Sequence, residues 1–319
     1  MKASPLLSSF VIAAMTIPFS VHALNWSGDG ADPKEWNDAA NWNGVLPTGT
    51  QAINFGDAST LDNAFGGTTD FTTTGFMYLY ENSTVNWESN DLTTGRLFIQ
   101  NTTGTGQTLN VSGGNVLING TAKIGSGKNV LAAFNMTGGS FTSTGALEIN
   151  TGDDSTVTVS ISGDSVLQSN SKFLMSNSSG GTLNWTVSGQ DFTIANDRQA
   201  FQTGAGSSSS TTNLRLELGT TDFGSFTVGN WAKNGSVVNN LTVDVSSYAG
   251  TDDILLIDGL NNLAGFWDTS IVVGGVGSID FDTAEGDIYY RFAPIPEPGT
   301  LTLLGLGGCA LVLLNRRRR

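Results

Sequence analysis

The chain is poor in the side chains on which most catalysis relies. Its 319 residues include one histidine and one cysteine, and both lie near the ends, His22 in an apolar N-terminal stretch and Cys309 in an apolar C-terminal one. The body between them cannot assemble a Ser-His-Asp triad, a Cys-His pair, a histidine zinc site or an intrachain disulfide. Positive charge is also scarce. Of 14 lysines and arginines, Lys2 and the run Arg316, Arg317, Arg318 and Arg319 are terminal, which leaves nine in the body against 28 acidic residues, a net of −19. So acidic a surface repels nucleic acid and anionic lipid, and no nucleic-acid partner is expected. Between Leu24 and Phe292 no 3.6-residue apolar period is sustained, so long amphipathic helices are excluded.

What is abundant points to an all-β chain. There are 41 glycines and 7 prolines, and short alternating runs such as Val157-Thr158-Val159-Ser160-Ile161 recur between Gly/Ser/Asn turns. Five segments align as copies: VNWESNDL from Val85, LNVSGGNV from Leu109, FNMTGGSF from Phe134, VSISGDSV from Val159 and WTVSGQDF from Trp185, spaced 24, 25, 25 and 26 residues apart. Each reads apolar, polar, apolar, turn, apolar. The pattern places Val85/Trp87, Leu109/Val111, Phe134/Met136, Val159/Ile161 and Trp185/Val187 inward, followed by Leu92, Val116, Phe141, Val166 and Phe192. A further set, Leu97/Ile99, Ala122/Ile124, Leu147/Ile149 and Phe173/Met175, keeps phase.

Three short strands in about 25 residues are too few for a propeller blade and fit one coil of a β-solenoid, with Asn110 and Asn135 on its solvent flank. The alternative is a β-sandwich of meander hairpins. The domain reading is a signal peptide over 1–23, an N-terminal β cap over 24–84, solenoid repeats over 85–202, a C-terminal β region over 203–292 and a C-terminal segment over 293–319. Val21-His22-Ala23 is a small-x-small exit for signal peptidase after Ala23. Trp26, Trp36 and Trp42 crowd the proposed cap, as buried packing rather than as an aromatic sugar platform. The stretch TGAGSSSSTTN, Thr203 to Asn213, reads as a break, after which the solenoid is expected to continue to a cap.

Acidic clusters at Asp153-Asp154, at Asp252-Asp253 and from Asp280 through Asp282, Glu285 and Asp287 match no calcium-loop pattern and read as solvated turn acids; no metal or other cofactor is expected. Exported β-solenoids also serve as polysaccharide lyases and glycosidases, so a carbohydrate-active enzyme is the rival function. Its carboxylates would come from Glu88, Asp164 and Asp191, but these are turn residues, and Arg96, Lys123, Lys128 and Lys172 look scattered along the chain. The expected role is therefore not enzymatic. Ten Asn-x-Ser/Thr triplets, Asn110, Asn135, Asn184 and Asn240 among them, follow from composition alone.

The C-terminus reads PIPEPGTLTLLGLGGCALVLLNRRRR. Its apolar run, 299–314, spans about 24 Å as a helix, short of the ~30 Å hydrocarbon core, with the arginines Arg316 to Arg319 as a membrane stop. Pro296-Glu297-Pro298, the apolar run and the terminal arginines resemble the PEP-CTERM sorting domain, also catalogued as the ice-binding-protein C-terminal motif. The spacing W-x9-W-x5-W-x4-P from Trp26 and the strands LTVDV and GDIYYRF resemble exported bacterial β-strand-repeat proteins of autotransporter type. The resemblance implies an exported protein at the outer surface or in the extracellular matrix of a Gram-negative bacterium. It implies a transient inner-membrane stage and an exosortase that recognises Pro296, Glu297 and Pro298. The resemblance gives the route and not the activity of the body; with a solenoid bare of catalytic constellations, the expected role is a structural or adhesive one, in association with extracellular polysaccharide.

Overall fold

A computed structural model describes residues 23–293 apart from 32–35, 48, 57–59, 63–69, 81, 101–105, 198, 205–207 and 261–262. The signal segment before Ala23, the motif Pro296-Glu297-Pro298, the apolar run 299–314 and Arg316 to Arg319 lie outside the described residues. Among the described residues no helix is long and apolar enough to cross a membrane.

The chain winds as a β-solenoid of about eight turns. Among the described residues three parallel sheets run along the solenoid. Sheet A has nine strands, from Leu24–Asn25 through Phe76–Leu79, Arg96–Ile99, Ala122–Ile124, Leu147–Ile149 and Phe173–Met175 to Trp231–Lys233. Sheet B also has nine, including Thr84–Trp87, Gly106–Val111, Leu131–Met136, Thr156–Ile161, Ser179–Gly189, Ser209–Leu218 and Val238–Asp244, and ending at Thr269–Val273. Sheet C has seven, from Phe71–Thr72 through Asp91–Thr94, Asn115–Ile118, Ser140–Ser143 and Val166–Ser169 to Thr193–Ala195 and Ser225–Thr227. The β-sandwich alternative is set aside because each strand pairs in parallel with its equivalent one coil away, as Phe134 does with Leu109 and Val159.

Alternation drives the winding. In each strand the apolar set points into one continuous core, where Val85, Phe134, Val159, Phe141 and Leu147 are fully buried, and the polar set points out. The corners demand glycine. Gly139, at the B–C corner, has φ +70 and packs so closely on the coil below that an added Cβ would meet the Gly113 backbone at 2.7 Å.

Two inward assignments change. Val166 is 37% exposed, and Leu167 occupies the buried slot beside Phe141. The corner of that coil is one residue longer. A tight turn, with the Ser165 N–H donating to the Gly163 carbonyl at 2.7 Å, absorbs the extra residue, buries Ser165 and turns Val166 outward. At the next corner Ile194 takes the inward slot opposite Leu167, while Phe192 is buried outside the column, edge-on to Phe223 at 4.8 Å. Part of the Thr203–Asn213 stretch, expected as a break, is strand, and 205–207 lie outside the described residues. Ser209 to Asn213 pair with Ser179 and with Thr182 to Asn184, and the Ser210 and Thr212 hydroxyls turn inward to bond the Ser176 carbonyl and hydroxyl, both at 2.6 Å.

The ladders extend on both sides of the 85–202 block. At the N-terminal end Trp42 meets Trp26 at 4.8 Å and Phe55 at 5.5 Å, and Trp36 meets Phe71 at 5.1 Å. All three tryptophans are buried, so they act as packing. At the other end an antiparallel sheet of Ile254–Ile257, Asp287–Phe292 and Gly277–Asp282 closes the core, with Tyr290 and Ile288 buried.

Candidate functional site

With the core filled by the inward side chains, the outer faces of the solenoid are where its polar and aromatic side chains are displayed. The expected carboxylates are exposed at B–C corners, Asp164 and Asp191 in adjacent coils and Glu88 three coils away from Asp164. The acidic clusters are less uniformly solvated than their sequence suggests. Asp287 is buried, and its carboxylate accepts from the Gly259 N–H at 2.9 Å and the Tyr289 hydroxyl at 3.0 Å, which pushes the Tyr289 phenol up. Asp253 and Asp280 both pair with Arg291. These acids hold the end sheet together. Among the described residues no group of three or more His, Cys, Asp or Glu could hold a metal ion.

Sheet B carries an amide ladder on its outside. The Asn110 side chain donates to Asn86 at 2.6 Å and Asn135 donates to Asn110 at 2.8 Å; farther along, Asn213 donates to Asn184 and Asn240 to Asn213, each at 2.9 Å. Four of the Asn-x-Ser/Thr triplets therefore have a structural explanation: their asparagines are rungs.

Sheet A is different. Register stacks Asn25, Asn54, Tyr78, Phe98, Lys123 and Glu148 in one outward column, one residue per coil. Tyr78 stacks on Phe98 at 5.1 Å with ring planes 13° apart, and Tyr80 stacks on Tyr78 at 5.4 Å. Phe76 stands edge-on to both Tyr78 and Phe98, is 37% exposed, and lies under the Arg96 guanidinium, 5.4 Å from its ring centre. Burial pushes the Tyr78 hydroxyl up, Tyr80 adds to this, and Arg96 opposes it. The outer end of the cluster is polar: Gln100 reaches the Tyr80 hydroxyl at 3.5 Å and accepts from Ser126 at 3.1 Å. Asn54 borders it on the other side, donating to Asn25 at 2.9 Å. Four aromatic side chains on an outer face, framed by amides and cations, form an apolar strip with hydrogen-bonding groups at its edges.

The basic residues that look scattered in sequence also converge here. Arg96 and Lys123 belong to sheet A strands, and Lys172 precedes Phe173 at the coil position Arg96 holds before Leu97. Lys128 lies on the loop toward sheet B instead. Sequence reading missed the aromatic cluster because Phe76, Tyr78 and Tyr80 precede the first aligned repeat. The signal was nonetheless present: Phe76-Met77-Tyr78-Leu79-Tyr80 alternates, and assigning Leu97/Ile99 inward already turns Phe98 outward.

The PEP-CTERM protein-sorting motif matches residues 294–319. This motif implies exosortase-dependent export to the cell surface. No curated protein matches the chain, and no solved structure does.

Proposed function

We propose that this exported, PEP-CTERM-sorted chain is a structural or adhesive protein of the cell surface or extracellular matrix that associates with exopolysaccharide through the outer face of sheet A, and that it performs no catalysis. The single observation that carries the reading is the cluster of Phe76, Tyr78, Tyr80 and Phe98 on that face. Outward apolar rings cost solvation, and a folded protein keeps them where a partner covers them. Sugar rings fit, because their C–H faces lie on aromatic carbon while their hydroxyls meet flanking amides such as Asn54 and Gln100. A continuous solenoid face displaying this strip suits a scaffold or adhesin. In this reading Pro296, Glu297 and Pro298 are the recognition element of the exosortase. The test is co-sedimentation of the full chain in mild detergent with exopolysaccharide from the producing cells. Tyr78→Ala combined with Phe98→Ala is expected to lower affinity at least about tenfold with little change in melting temperature. Equal binding by wild type and this variant would overturn the reading.

A further inference from the structure

Charge on the molecule is unevenly placed. The body carries nine basic residues against 28 acidic ones. Four of the nine, Arg96, Lys123, Lys172 and Lys233, lie on or at the head of sheet A strands; Arg96, Lys123 and Lys172 alternate with the buried Leu97, Ala122 and Phe173 and so point outward, whereas Lys233 ends the last strand in register with the buried Thr203. Glu148 is the one carboxylate among the described strand residues of that sheet. The other faces differ. On sheet B Arg215 is engaged by Glu217 and Asp244, and on sheet C the one charged strand residue described is Asp91.

Two of the four sheet A cations are neutralised locally, Lys123 by Glu148 at 2.8 Å and Lys233 by Asp268 at 2.6 Å. Arg96 and Lys172 have no ion-pair partner among the described residues. They hold the same coil position three coils apart, about 14 Å at the ~4.8 Å strand spacing, and Arg96 sits directly over the aromatic strip at Phe76.

We infer that this face is built for an anionic polysaccharide, one with carboxylate, sulfate or phosphate groups along its chain; the inference rests on the glycan reading above and names its class. A cationic face on a strongly acidic body attracts a polyanion only if that polymer is narrow enough to lie within the face, away from the remaining carboxylates. The aromatic strip supplies contacts to sugar carbon that a bare phosphate backbone cannot use. Arg96 joins the two features, since a guanidinium lying on a ring still presents N–H donors to a carboxylate.

The experiment is affinity electrophoresis of the full chain in mild detergent through gels containing polygalacturonate, its methyl ester, single-stranded DNA or exopolysaccharide from the producing cells. Wild type is expected to be retarded at least about fivefold more by polygalacturonate than by the ester. That preference should vanish in the double variant Arg96→Ala/Lys172→Ala and at about 0.5 M salt. Both substituted side chains are outward, and an unchanged melting temperature confirms the fold. If exopolysaccharide binding is lost in Tyr78→Ala/Phe98→Ala but untouched by Arg96→Ala/Lys172→Ala and by salt, the charge inference falls and the glycan reading stands. If exopolysaccharide does not retard wild type at all, both fall. Retardation by DNA as strong as by polygalacturonate overturns the commitment to a polysaccharide.

Discussion

The side-chain amide of Asn135 donates to the side-chain oxygen of Asn110 at 2.8 Å, one coil away, and Asn110 in turn donates to Asn86. Asn110, like Asn213 and Asn240, both accepts and donates, so a central rung is worth two bonds and a terminal one fewer. Asn110→Ala removes both and leaves two half-buried amides to re-solvate. The expected loss is about 1–2 kcal/mol of unfolding free energy, read from urea denaturation. Asn240→Ala is expected to cost a similar amount, because Asn240 accepts from Thr269 and donates to Asn213.

The corner at Gly163 to Ser165 gives a sharper test, because neighbouring residues exchange roles there. Leu167 is fully buried whereas Val166 is 37% exposed. Leu167→Ala is expected to cost about 2–5 kcal/mol through lost burial and the cavity it leaves. Val166→Ala is expected to stay within about 0.5 kcal/mol. The reverse order would mean that the uninterrupted 25-residue period, and not the longer corner, sets the register.

That corner also shows how far the sequence could be read. Apolar pairs at fixed phase sufficed for the solenoid, because a parallel in-register stack needs little more than equal coil length and alternation. A corner that absorbs one extra residue changes no periodic residue, so the slip from Val166 to Leu167 was invisible until pairing was known. The buried hydroxyls of Ser210 and Thr212 were equally hidden, since a polar run normally signals a loop. For the candidate face the limit lay elsewhere. Phe98 and Lys123 are 25 residues apart in the chain and adjacent in space, and only register brings rings and cations together.

Acid should weaken the C-terminal end at an identifiable pair. Burial pushes the Asp268 carboxyl up, but hydrogen bonds from Lys233 at 2.6 Å and the Asn239 N–H at 2.7 Å outweigh it and hold the group below its ordinary value of 3.8. A carboxyl with a depressed folded value contributes stability that is fully present above its unfolded value and is lost as pH falls through the folded one. Melting temperatures of wild type and Asp268→Asn should therefore differ most near neutrality and converge below pH 3.8. A gap that stays constant down to about pH 2 would show that Asp268 acts through shape alone.

The two ends of the solenoid should respond differently to the same substitution. Trp231 is buried against Phe201, Phe266 and Trp267, and its indole N–H donates to the Gly286 carbonyl at 2.7 Å, tying the end sheet to the last strand of sheet A. Trp36, in the N-terminal cap, is also buried, but its indole nitrogen has no hydrogen-bond partner among the described residues. Trp231→Phe strands a buried carbonyl and opens space, so about 2–4 kcal/mol should be lost, with faster amide exchange in Asp287–Phe292. Trp36→Phe removes a desolvated donor that is not bonded, and this gain offsets part of the lost ring area. The expected cost is about 1 kcal/mol or less, and a loss as large as that of Trp231→Phe would mean that ring area, not the bond to Gly286, is what closes the C-terminal end.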